Sequence, residues 1–104
     1  MPLHHRVYVI LLRSTPQDKG QVHLYVGATG LTPEQRFQNH LNGNHAAGIV
    51  KRRGIRLMPE LYDHLPVLSY KDAGALEIQT AKDLRAAGYK VTQYPNVLYQ
   101  MLKP

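Results

Sequence analysis

At 104 residues the chain suits one compact domain and is too short for two, and at 43 % hydrophobic and 19 % charged residues it is not a disordered polymer. It has no cysteine, which excludes disulfides and thiolate metal sites, and no stretch nears the roughly 18 apolar residues that a bilayer span needs. Thirteen Lys and Arg against seven Asp and Glu leave a formal charge of +6, a balance that suits a polyanionic partner as well as plain solubility.

The start, "MPLHHRVYVILLRS", superficially resembles a secretion signal. Its apolar run is short, lacks a small-residue cleavage site and alternates like a strand, so the expectation is a mature, cytoplasmic protein. His4 and His5 are adjacent, but the six histidines lack the paired spacing of a zinc site. "RVYVILLR" reads as a strand with Val7, Val9 and Leu11 on one face and Tyr8, Ile10 and Leu12 on the other. "STPQDKGQ" carries turn chemistry, and "VHLYV" resumes a strand with His23 and Tyr25 on one face. The two runs predict an antiparallel hairpin that brings Tyr8 and Tyr25 within cross-strand reach.

After "GATGLTPEQ" a helix is predicted over 33–41. Thr32 is its N-cap, Pro33 suits the first position, and Gln35 completes a capping box. Asn42 or Gly43 can take the left-handed cap at its end. "HAAGIVKRRG" predicts a short second helix ending at Gly54. "IRLMPELYDHL" predicts a third strand, with Pro59 placing it at an edge or breaking it. Ser69 caps a long helix, "DAGALEIQTAKDLRAAG", which Gly88 closes, and "YKVTQYPNVLYQML" begins like a strand without a firm assignment. The order β-β-α-α-β-α predicts an α/β (α+β) sandwich over residues 1–104, with helices around a three-stranded, largely antiparallel sheet.

At about 100° per residue, the long helix gathers Tyr70, Ala73, Leu76, Ala81, Leu84 and Ala87 on one side, and Glu77 falls among them. An ionised carboxylate buried alone costs several kcal/mol, roughly, so it must be paired, protonated or metal-bound. An ion pair with Arg36 is one answer, and a hard-cation ligand is the other. Arg36 and His40, four apart, share one face of the first helix, at the border of its apolar stripe. An Arg fork there is suited to phosphate. "KRRGIR" is the densest basic run, either a phosphate-contact patch (Lys51, Arg52, Arg53) or a solvated loop.

Taken in order, "VYVILL", "LYVGATG", "RFQNH" and "ALE" resemble the signature of the GIY-YIG nuclease superfamily, over residues 6–88. Val7-Tyr8-Val9 stands in for the first motif, without its glycine, and Tyr25-Val26-Gly27 for the second, after a longer loop. Arg36 matches the Arg of the following helix, His40 the His one turn later, and Glu77 the metal-binding Glu. The resemblance implies a stand-alone DNA endonuclease using one divalent ion, Mg²⁺ or Mn²⁺, held by Glu77. It further implies that Tyr8, with Tyr25 or His40, deprotonates or orients the attacking water, while Arg36 stabilises charge on the scissile phosphate. Asn96 is the candidate for the Asn that many members carry near the phosphate, or is a turn residue after Pro95. Gly27 fits a place where bulk beside the active face is not allowed. A non-catalytic nucleic-acid-binding module on the same scaffold is the alternative, and sharp site selection calls for a partner or a homodimer.

Overall fold

The computed structural model describes residues 3–93, which form a mixed four-stranded sheet and three helices in an α+β arrangement. Strands β1 (Arg6–Leu12) and β2 (His23–Thr29) make the hairpin that the alternation predicts. Their register sets Tyr8 opposite Gly27, Ile10 opposite Tyr25 and Leu12 opposite His23, so these six share one face. Val7 through Ile10 and Leu24 through Val26 are buried without interruption. Successive residues face opposite sides, so both faces of the hairpin are covered.

Helix α1 (Pro33–Asn42) begins on the capping box: Thr32 Oγ1 accepts from Gln35 N at 3.1 Å, and Gln35 Oε1 accepts from Thr32 N at 3.2 Å. It ends at Gly43, whose φ of 84° is the left-handed cap. Helix α2 (Gly48–Arg53) leads directly into strand β3 (Gly54–Leu57). Helix α3 (Tyr70–Ala86) starts where Ser69 Oγ accepts from Asp72 N at 3.2 Å, and Gly88 follows it at φ 101°.

Two expectations about the sheet need correction. The third strand is four residues long rather than eleven, because Pro59 opens a 3-10 turn, Pro59–Leu61, instead of continuing the ladder. It lies at an edge, as a proline-limited strand should. The sheet also has a fourth strand, β4 (Lys90–Gln93), which returns from α3 to pair parallel with β2. The order is therefore β3-β1-β2-β4, and the sheet is mixed rather than three-stranded and antiparallel. Helix α3 packs on β2 and β4, and α1 on β1 and β3. Tyr70 and Ala87 do not join the apolar side of α3 as the projection suggests: Tyr70 is 70 % exposed, and Ala87, the cap after the last turn, is exposed too.

The loop after β1 contains a buried hub. Asp18, 1 % exposed, accepts from Lys90 Nζ at 2.8 Å, Arg53 Nη2 at 2.8 Å and Thr15 N at 2.9 Å. It thereby ties the loop to the end of α2 and the start of β4. The Lys90 ammonium and the Thr15 N–H hold its carboxyl well below the usual carboxylate range. Arg53 also donates to His23 Nδ1 at 3.0 Å, which leaves His23 neutral, with Nε2–H donating to Thr92 Oγ1 at 2.8 Å. The 3.3 Å approach of His23 to Asp18 is thus a contact rather than an ion pair. Among the described residues no helix is long and apolar enough to cross a membrane.

Candidate active site

A cavity of about 420 Å³ opens where the glycine end of β2 meets α1 and α3. Tyr8, Tyr25 and Gly27 come from the hairpin, Arg36 from α1, and Gly74 and Glu77 from α3. The hairpin register explains the tyrosine pair. Tyr8 and Tyr25 are diagonal neighbours on one face, with ring centroids 6.3 Å apart. Gly27 is directly opposite Tyr8, and a Cβ there would lie 2.6 Å from Tyr8 Oη. The missing side chain is the seat of the Tyr8 ring, which gives the expected intolerance of bulk at Gly27 a physical cause.

His40, fully buried, joins the two tyrosines from α1, 6.1 Å from the Tyr8 ring and 5.7 Å from that of Tyr25. Its Nδ1 accepts the Ala47 N–H at 3.0 Å. A backbone N–H can only donate, so the neutral ring carries its proton on Nε2, and Nε2–H donates to Tyr8 Oη at 2.8 Å. Burial and the Arg36 charge push His40 down to about 4, which agrees with a neutral ring. With its lone pair engaged by Ala47, His40 cannot serve as the base that the resemblance offers as one choice. It positions Tyr8 and leaves the phenol proton free for another acceptor.

Burial pushes the Tyr8 phenol up to about 12, against the pull of the Arg36 charge. Tyr25 is raised as well, by burial first and then by Tyr8 and Glu77. Arg36 is held by the turn after α1, donating to His45 O at 2.8 Å and Asn44 O at 3.4 Å. His45 stands in the left-handed region at φ 49°, a conformation that costs a non-glycine residue energy and turns its carbonyl to the guanidinium.

Glu77 continues the inward stripe of α3 formed by Ala73, Thr80, Ala81 and Leu84. Burial pushes its carboxyl up to about 7, while the Gln93 side chain and the Ala28 backbone pull it down. Among the described residues it makes no salt bridge, and Arg36 spends its fork on backbone carbonyls. The ion-pair answer to its burial is therefore not the arrangement found. No three His, Asp or Glu side chains among the described residues gather into a group that could hold an ion alone. A lone carboxylate in a cavity fits an ion that keeps most of its waters, as Mg²⁺ does.

Of the basic run, Arg53 donates to Asp18, His23 and Arg13 O and ties the fold together. Lys51 and Arg52 are exposed on α2 and do not line the cavity. Asn96 lies outside the described residues. His45, Lys71 and Gly74 line the cavity without having been singled out from sequence, because no local pattern marks residues that meet only across elements; His5 and Tyr70, expected elsewhere, line it as well. Compared with family models, curated proteins and solved structures, the chain finds no match, so the site stands on its own residues.

Proposed function

We propose that the chain is a metal-dependent DNA endonuclease of the GIY-YIG type, hydrolysing phosphodiester bonds by attack of water. The supporting observation is the convergence of Tyr8, Tyr25, Arg36 and Glu77, from four separate elements, on one cavity of a chain with charge +6. Glu77 would hold Mg²⁺ or Mn²⁺, since a hydrated ion of this class needs few protein carboxylates. The bound ion would supply Lewis-acid polarisation of the phosphate.

The remaining roles follow from the side chains. Arg36 carries a permanent charge on a fork pre-set by the His45 carbonyl, and it stabilises the negative charge that builds on the scissile phosphate. Tyr8, at about 12, is protonated near neutral pH and orients the attacking water. It takes the water's proton only where neighbouring cations lower that value. His40 favours the phenolate by donating to Oη and fixes the ring in place. The cytoplasm, where DNA and Mg²⁺ are both at hand, is the compartment we propose, and a second copy or a protein partner is the source we propose for sharp site selection.

The experiment is a cleavage panel of single-stranded, branched, nicked and duplex DNA with Mg²⁺, with Mn²⁺ and with EDTA. Metal-dependent cutting by the wild-type chain, abolished by Glu77→Ala, is the expected result. A binding module that never cuts predicts salt-sensitive DNA binding indifferent to Glu77→Ala, and that outcome would replace the nuclease reading.

A further inference from the structure

Tyr70 stands at the mouth of the cavity with 70 % of its surface exposed, and its ring has an aromatic neighbour. It meets the His5 ring edge-on, with centroids 5.3 Å apart and planes at 81°. His5 is itself fixed by two backbone hydrogen bonds to Leu68, of 2.9 and 2.8 Å. One turn further along α3 is Gly74, inside a helix that glycine weakens. A Cβ at Gly74 would meet nothing within 4 Å, so no packing neighbour demands the glycine. What the missing side chain does is widen the cavity between Tyr70 and Glu77.

Tyr70, Gly74 and Glu77 follow i, i+4, i+7 spacing and form one stripe along α3. Seven residues of helical rise separate Tyr70 from Glu77 by about 10 Å, a span that the next nucleotide of the same strand can cover. Lys71 lines the same wall, and Arg36 lines the cavity with it, so a strand lying there would have cations for its phosphates. In a duplex each base has both faces covered by its neighbours, and an aromatic ring can stack only on a base that is unpaired or turned out.

We infer that Tyr70, backed by His5 and with the gap at Gly74 below it, is a stacking platform for one unpaired base beside the scissile phosphate. The strand taken by the site is then single-stranded at the point of cleavage. This deepens the nuclease reading, on which the position of the scissile phosphate rests.

The test separates binding from cutting. Fluorescein-labelled oligothymidine and a hairpin duplex of equal length are titrated in EDTA with the wild-type chain, Tyr70→Ala and Tyr70→Phe. A 2-aminopurine-containing strand reports stacking by its fluorescence. The inference predicts tighter binding of the single strand than of the duplex. Tyr70→Ala should weaken single-strand binding about tenfold, and Tyr70→Phe should restore it together with the 2-aminopurine quench. Oligothymidine binding equal in all three proteins, or a preference for the duplex, would overturn the platform. If Mg²⁺-dependent cleavage still occurs in that case, the nuclease reading survives without it. Conversely, Tyr70-dependent binding by a chain that cuts nothing supports the platform and removes the nuclease reading.

Discussion

His40 shows how much of the site depends on single hydrogen bonds. Its Nδ1 can accept from Ala47 only while the ring is neutral, so the fold opposes its protonation. An unfolded chain returns His40 to its ordinary value of 6.5, against about 4 when folded. Between these values the unfolded state binds the extra proton, so this contribution is complete above pH 6.5 and is lost as pH falls towards 4. The size is on the order of 2–3 kcal/mol. The Glu77 carboxyl, raised to about 7, acts in the opposite sense over the same range, so the His40 slope is read as a difference: denaturant unfolding of the wild-type chain minus that of His40→Asn, across pH 4 to 7, should show it. Gly27 is a second lever at this scale. Gly27→Ala places a Cβ 2.6 Å from Tyr8 Oη and 2.7 Å from its Cζ, so the ring must move. Displacing a reacting group by an ångström can cost about a hundredfold in rate. Steady-state cleavage by this variant should fall by that order. Both residues stood out in the sequence, Gly27 by its place after Tyr25 and His40 by its spacing from Arg36. The donor role of His40 was not legible there, because it depends on Ala47 arriving from the next loop.

Helix α3 carries both the strongest local signals and the least expected residue. Its start and end were legible because Ser69 and Gly88 act on their immediate neighbours. The length of β3 and the existence of β4 were less so. Each has four residues, too few for a period to establish itself, and β4 owes its strand form to pairing with β2 across the α3 crossover. Glu77 read correctly as a carboxylate on the inward side, whereas Tyr70 is the first residue of the helix, ahead of the point where it meets the core. Gly74 makes a prediction of its own at this scale. With an unstrained backbone and open space around it, Gly74→Ala should stabilise the helix by about 1 kcal/mol. For a domain of this size that raises Tm by roughly 4–8 °C in a thermal melt. The same methyl group would enter the cavity, so stability should rise while single-strand binding weakens.

Across the whole molecule, the basic residues divide between the Asp18 hub and the lining of the cavity. Arg53 and Lys90 hold the fold through Asp18, while Arg36 and Lys71 line the cavity. No sequence pattern could announce this, since Asp18 and Lys90 are 72 positions apart. Asp18→Asn should lower Tm markedly, because two cations lose the charge they close on, while cleavage below the new Tm should persist. Its pH sense follows from a carboxyl held below its ordinary 3.8. The contribution is full above that value and is lost as pH falls beneath it, adding to the loss from His40 at acid pH.

In the proposed nuclease Glu77 is the carboxylate that a divalent ion needs, and Glu77→Gln keeps its shape while removing its charge. Cleavage of DNA by the wild-type chain and by Glu77→Gln, each shown by thermal melt to be folded, over a Mg²⁺ titration is the most direct test. Metal-dependent cutting by the wild-type chain and a loss of about a hundredfold or more in the variant are the results expected of the proposed nuclease. Equal cutting by both proteins, or none by the wild-type chain on any DNA form with Mg²⁺ or Mn²⁺, would contradict it.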